Sequence, residues 1–298
     1  MTLSEAPEVT TTTTRTAGTR RRGLLRGVGY GPQTWVGAAV LAAVIVMAVL
    51  APLVAPHDPY EVDLGNALAG PSPSNLLGTD QNGRDVLSRI VYGTRTSLLG
   101  PLGVVVLSTL GGVAVGLAAA WRGGWVDSVL TRFTEVVFSF PGVLLALLMI
   151  AIVGPGLVAP VIALAIAYTP AVARLVRSAA LEQKARPYIE AYRLQGFSST
   201  YIATRRLLPN IAGVVLAQST IYFGYAVMDL AALSYLGFGA QPPSPDWGAT
   251  ITVQQSSLLE GALLPVLAPG AFIVVVVIAF NLVGEGIADR TANRGGLT

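Results

Sequence analysis

The sequence predicts an all-α, polytopic membrane protein with six transmembrane helices, and three observations carry the prediction. The 298 residues are 53% apolar and 12% charged, with a mean hydropathy of +0.63, whereas soluble domains carry about 25% charged residues. The apolar residues gather in long runs. The first, 35–55, is 21 residues without a charge, enough at about 1.5 Å per residue to cross a hydrocarbon core of about 30 Å. The cations, finally, are divided between alternate loops, as membrane insertion requires.

In order along the chain, the predicted spans are 35–55, 98–120, 136–153, 157–172, 211–236 and 264–283. The stretch 41–53 has the look of a signal-peptide core, but the run is too long for one and is read as an uncleaved first span. Arg15, Arg20, Arg21, Arg22 and Arg26 precede it and set the N-terminus in the cytoplasm. Six spans return Arg290 and Arg294 to the same side and leave only Arg84, Arg89 and Arg95 outside. The formal net charge of +3 is therefore topological and does not point to nucleic acid. Cysteine is absent, which excludes disulfides and thiol chemistry.

The first outside loop, 56–96, is the longest and turn-rich. Asn82-Gly83 marks a turn, and from Arg84 onward Val86, Leu87, Ile90 and Val91 recur at helical spacing opposite Asp85, Ser88 and Arg89. That pattern predicts a short helix at the membrane surface leading into span two. His57, Asp80 and Asp85 lack metal-ligand spacing, so no metal site is expected. In loop 121–135, Gly123-Gly124 forms the turn, and Trp121 and Trp125 fit an interfacial belt. Trp247, in the proline-rich stretch 241–248, is expected at the outer interface, where that stiff loop suits docking of an outside partner. Pro141, Pro160 and Pro170 suit kinks, and Gly111, Gly112 and Gly116 suit close helix packing.

The fourth loop departs from a plain topogenic signal. Arg174, Arg177, Lys184, Arg186, Arg193, Arg205 and Arg206 make it basic, yet it also has internal order. Pro187 suits a first helical turn, and Tyr188, Ala191, Tyr192 and Gln195 share one helical face. Gly196 ends that helix with a left-handed cap, Ser198 or Ser199 starts a second, and Pro209 stops it before span five. The loop reads as a protein-docking element, with Tyr188 and Tyr192 filling a cleft on the partner and Glu190 available to a basic group there. Asp229 is the one acidic residue deep in a predicted span, so it must face water or protein. It suits a polar path through the membrane or a structural pairing with a polar group of another chain.

Glu190-Ala191, Gly196 and Leu208-Pro209 resemble the EAA motif of permeases from binding-protein-dependent ABC importers; Tyr192 stands in for the second Ala and Arg206 for a usual aliphatic. The segments 77–89, 234–243 with Trp247-Gly248, and 279–284 are similar to the C-type permease of the dipeptide/oligopeptide/nickel branch, in the same order. The resemblance covers roughly residues 35–290. It implies a type I importer fold: 1–30 a disordered basic tail, 31–96 the first span with its loop and interfacial helix, 97–290 the permease domain with a coupling loop at 182–209, and 291–298 a cytoplasmic tail. It implies that Tyr188, Glu190, Ala191, Tyr192, Gly196, Leu208 and Pro209 contact an ATPase. The chain carries no phosphate-binding loop, so it is not itself an enzyme and holds no cofactor. ATP and magnesium are expected on one or two partner ATPases. A sister permease completing the pore and an extracytoplasmic substrate-binding protein are the other implied partners, in a bacterial plasma membrane. Peptide is the expected substrate, with nickel as the alternative. A stand-alone secondary transporter would show inverted repeats, and an intramembrane enzyme would need paired catalytic groups within the spans.

Overall fold

The structure is a computed structural model and describes residues 31–295. The basic Thr-rich start and the side chain of Arg294 lie outside that range. Eleven α-helices follow one another: α1 (Pro32–Val49), α2 (Ala51–Val54), α3 (Val86–Arg122), α4 (Gly124–Phe138), α5 (Gly142–Val153), α6 (Val158–Lys184), α7 (Pro187–Leu194), α8 (Ser199–Tyr201), α9 (Leu208–Tyr235), α10 (Trp247–Val253) and α11 (Leu264–Gly295). Among the described residues five helical stretches are long and apolar enough to cross a membrane, and α4 with α5 makes a sixth if the pair is one bent span. The chain is thus a multi-pass membrane protein.

Three elements differ from expectation. The surface helix after Arg84 does not exist on its own: it is the first two turns of the 37-residue α3. Both of its faces are covered, since Val86, Ser88, Arg89, Ile90 and Val91 are all buried. The third span is broken at Ser139–Pro141, where α4 and α5 meet at 82°. Pro141 N-caps α5, which is 12 residues and therefore about 18 Å long, short of the hydrocarbon thickness. Residues 291–295, expected as a tail, continue α11.

The core sits where small residues let helices touch. The longest seam joins α3 to α6. A Cβ on Gly112 would stand 2.5 Å from that of Val172, and one on Gly116 would meet the Ala173 carbonyl, so the glycines set the helix separation. The seam between α9 and α11 is built alike: Gly284 lies against Ile221, and Phe223 stacks on Phe280 at 3.9 Å. Pro170 lies inside α6.

Opposite the α7 end, the 56–85 loop and the 237–263 loop close one face together. Asp246 caps α10 by accepting from Ala249 N at 3.1 Å, and Ser97 Oγ donates to its other oxygen at 3.0 Å. Asp80 accepts from Gln254 Nε2 at 3.1 Å and lies 3.7 Å from Arg89 Nε, joining the segment 77–89 to the one after Trp247. Trp247 is 1% exposed and donates its indole N–H to the Ile90 carbonyl at 3.0 Å. It is a core residue, not the interfacial one the loop composition suggested. Trp125, by contrast, is 76% exposed.

Candidate functional site

Local rules build the polar loop between α6 and α9. Pro187 occupies the first turn of α7, where its missing N–H costs nothing. At the other end Gly196 adopts φ +81°, Gly196 N donates to Arg193 O at 3.0 Å and Phe197 N donates to Tyr192 O at 3.2 Å. This is a Schellman cap, complete with its apolar contact between the Tyr192 and Phe197 rings at 5.5 Å. Ser198 then caps the next helix by accepting from Tyr201 N at 3.3 Å.

Pro209 does not stop that helix. Residues Ile202–Leu207 run as a π-helix that passes directly into α9. A proline one turn into a helix would lose an i→i−4 bond and press on the preceding carbonyls, and the wider π turn absorbs both. Leu207 and Ile202 are buried at the junction, Leu208 is half-buried and Pro209 exposed.

Tertiary packing decides which face of α7 is free. Ile189 is 0% exposed, seated among Val176, Ala180, Ile202 and Leu207. Tyr188 and Tyr192, expected to reach into a partner, pack against this same cluster. The Tyr188 hydroxyl donates to Gln183 Oε1 and accepts from Asn210 Nδ2, both at 3.0 Å, bridging α6 and α9. Tyr192 lies under the Arg206 guanidinium at 4.8 Å, and Arg206 also donates to the Tyr201 hydroxyl at 3.2 Å. Arg206 therefore clamps the two short helices of this loop to each other. The outward face is Pro187, Glu190, Ala191 and Leu194, at i, i+3, i+4 and i+7, with Leu194 84% exposed. Sequence reasoning missed Leu194 and Ile189. The signal was the single aliphatic flanked by two tyrosines, which marks the buried side once the tyrosines count as apolar bodies.

The loop is fastened to the helical body beyond its own cluster. Lys184 Nζ donates to the carbonyls of Ala120 and Trp121 at 2.8 and 2.9 Å, satisfying the end of α3. Lys184 and Arg193 both approach the Trp121 ring, at 5.6 and 5.5 Å from its centroid. Nearby, Arg177 donates twice to Asp127, at 2.6 Å each, and ties α4 to α6. On the same side a groove of about 1140 Å³ opens between α6, α9 and α11, with Glu182, Arg186, Asn210, Gln218 and Arg290 in its walls.

The second candidate lies apart from the loop. Asp229 is half-buried on α9, within two turns of its C-terminal end. Tyr168 of α6 donates its hydroxyl to Asp229 Oδ2 at 2.7 Å. Among the described residues none of the ion pairs includes Asp229. His57 stands 4.0 Å from Asp85, and among the described residues no three His, Asp or Glu gather as metal ligands.

Comparison with known proteins concerns the chain as a whole. Residues 112–294 match the family described as binding-protein-dependent transport system inner membrane component. Residues 33–71 match the N-terminal TM domain of oligopeptide transport permease C. The dipeptide transport system permease protein of Alkalihalophilus pseudofirmus is 37% identical over 254 residues, 85% of this chain and 83% of that one. A glutathione transport system permease protein of Pectobacterium atrosepticum is 37% identical over 246 residues, 82% of this chain and 81% of that one. Among solved structures, a chain of the methionine ABC transporter MetNI in an inward-facing conformation superposes with a TM-score of 0.54 at 22% identity. It covers 69% of this chain and 96% of that chain. This last likeness concerns the fold alone.

Proposed function

The chain belongs to the family of inner-membrane components of binding-protein-dependent transport systems, and from that premise we infer that its cargo is peptide. It is the permease subunit of an ABC importer for di- and oligopeptides. Its relatives are named for dipeptides, di/tripeptides and glutathione, which favours peptide over nickel. Such a component works with an ATPase and a substrate-binding protein. Here the chain supplies half the pore and a sister permease the other half, with one or two ATPases binding ATP and magnesium. N- and C-termini lie in the cytoplasm of a bacterial cell, as the basic residues on that side favour.

The observation that carries the coupling role is the build of α7. Its inner face is locked by Ile189 and the Trp121 stack, while Glu190, Ala191 and Leu194 stand free on a rigid support. A helix so mounted transmits the movement of whatever grips its outer face to α3, α6 and α9 together, which suits rocking of the spans between inward- and outward-open states. Glu190, Ala191 and Leu194 would touch the ATPase. Gly196, Tyr188, Tyr192, Leu208 and Pro209 would shape and support the loop that presents it. Asp229 would line the translocation path.

Purification of the tagged chain from native membranes, with mass spectrometry of what accompanies it, tests the assembly. A second permease, at least one ATPase and a peptide-binding protein are expected. A chain that purifies alone and moves dipeptides in liposomes without ATP overturns the reading.

A further inference from the structure

We propose that Asp229, with Tyr168, Tyr222 and Tyr225, forms a subsite for a free primary ammonium group, the N-terminus of a peptide in transit. The inference rests on the peptide-importer reading for its substrate, and on the following geometry for its chemistry. Tyr168 holds Oδ2 at 2.7 Å. This fixes the carboxylate and leaves Oδ1 without a hydrogen-bond donor among the described residues. A carboxylate within a span needs a counter-charge or water, and no cation of the described residues pairs with it.

The surroundings suit an ammonium. The ring of Tyr168 lies 5.4 Å from that of Tyr222, which lies 6.3 Å from that of Tyr225. Aromatic faces beside a carboxylate attract ammonium by cation–π interaction as well as by charge-assisted hydrogen bonds. Gln218, Tyr222, Tyr225 and Asp229 recur at steps of four, three and four along α9, so they form one polar stripe on a helix that is otherwise mostly apolar there. Gln218 lies in the wall of the groove on the α7 side, and Asp229 lies close to the opposite end. Tyr225, in the stripe, is 50% exposed, and Met228 beside it is 51% exposed.

The absence of cysteine from the chain allows one reporter thiol to be placed beside the site. In the whole importer, purified with its partner subunits, Met228→Cys is reacted with a maleimide and modification of this chain is followed by mass. Ala-Ala and ethylammonium chloride are expected to slow the reaction, and N-acetyl-Ala-Ala is not. Adding Asp229→Asn should raise the half-protecting concentration by about tenfold or more, the usual effect of removing one partner of a desolvated charge pair. Asp229→Glu should keep the protection. Equal protection by acetylated and free peptide, or protection indifferent to Asp229→Asn, overturns the proposal. So does a thiol that never reacts in a complex that Asp229→Asn breaks apart, since Asp229 then meets a cation of a neighbouring subunit. Uptake of labelled Ala-Ala into proteoliposomes with the binding protein separates the two levels. Its failure refutes the peptide reading, while protection by ethylammonium still decides the subsite.

Discussion

Ile189→Ala should undock α7 while leaving the spans in place. The Ile189 side chain is 0% exposed and is the buried anchor of an eight-residue helix. Truncation removes about three carbon groups at about 0.8 kcal/mol each, or about 2.4 kcal/mol before any cavity is counted. Measured Ile→Ala changes run to about 2–5 kcal/mol. At about 1.4 kcal/mol per factor of ten, the docked-to-undocked ratio of α7 should fall by about fifty-fold or more. The aromatic contacts of Tyr192 and the bonds of Tyr188 remain, so loosening should be confined to the loop. Hydrogen exchange of the reconstituted importer reads this directly: amides of α7 should exchange about fifty-fold faster while those of α3 and α6 do not change. Dipeptide uptake should fall in parallel. Unchanged exchange in α7 would refute the anchoring argument. Faster exchange with normal uptake would refute the coupling role while leaving the anchoring intact.

Other consequences are independent of that one. Glu190→Lys, on the exposed face of α7, should abolish uptake and co-purification of the ATPase without reducing the amount of inserted chain; retention of both sinks the docking assignment. Gly116→Ala drives a Cβ into the Ala173 carbonyl at the α3–α6 seam and should cost about 1–3 kcal/mol, read as a lower unfolding temperature in detergent. Gly31→Ala, which meets nothing within 4 Å, should leave that temperature unchanged. Arg206→Ala removes the guanidinium over Tyr192 and its bond to Tyr201, so proteolysis in the loop should speed up several-fold while Arg206→Lys restores only part of the protection. Gly196→Asn should be tolerated better than Gly196→Val, because φ +81° suits Asn and penalises a β-branched residue; equal uptake by the two variants would argue against the cap.

Much of this protein was legible one segment at a time. The bilayer is a solvent that acts on each apolar run separately, so the spans could be read with little reference to their neighbours. The ends of α7 were legible for the same reason. Pro187, Gly196 and Ser198 obey backbone rules that involve only residues within one turn, and the structure places a first-turn proline, a left-handed cap and a serine cap at those positions. Helix packing at Gly112 and Gly116 was readable too, because a missing Cβ has few other uses in the middle of a span.

What only the tertiary structure decided concerns faces and continuity. Tyr188 and Tyr192 are amphipathic, and periodicity could not say whether a partner or the chain's own cluster around Ile189 would cover them. Trp247 has an interfacial composition around it but finds the Ile90 carbonyl from 157 residues away and is buried. Pro209 has the local mark of a stop, yet a π turn ahead of it lets the helix continue because Leu207 and Ile211 gain a buried place by doing so. At the break before Pro141 both halves stay on α6, α4 through the salt bridge between Asp127 and Arg177 and α5 through Ala146, buried in the cluster that holds Leu164. Each of these outcomes is set by what lies across a contact distant in sequence, which local backbone preference and hydropathy do not contain.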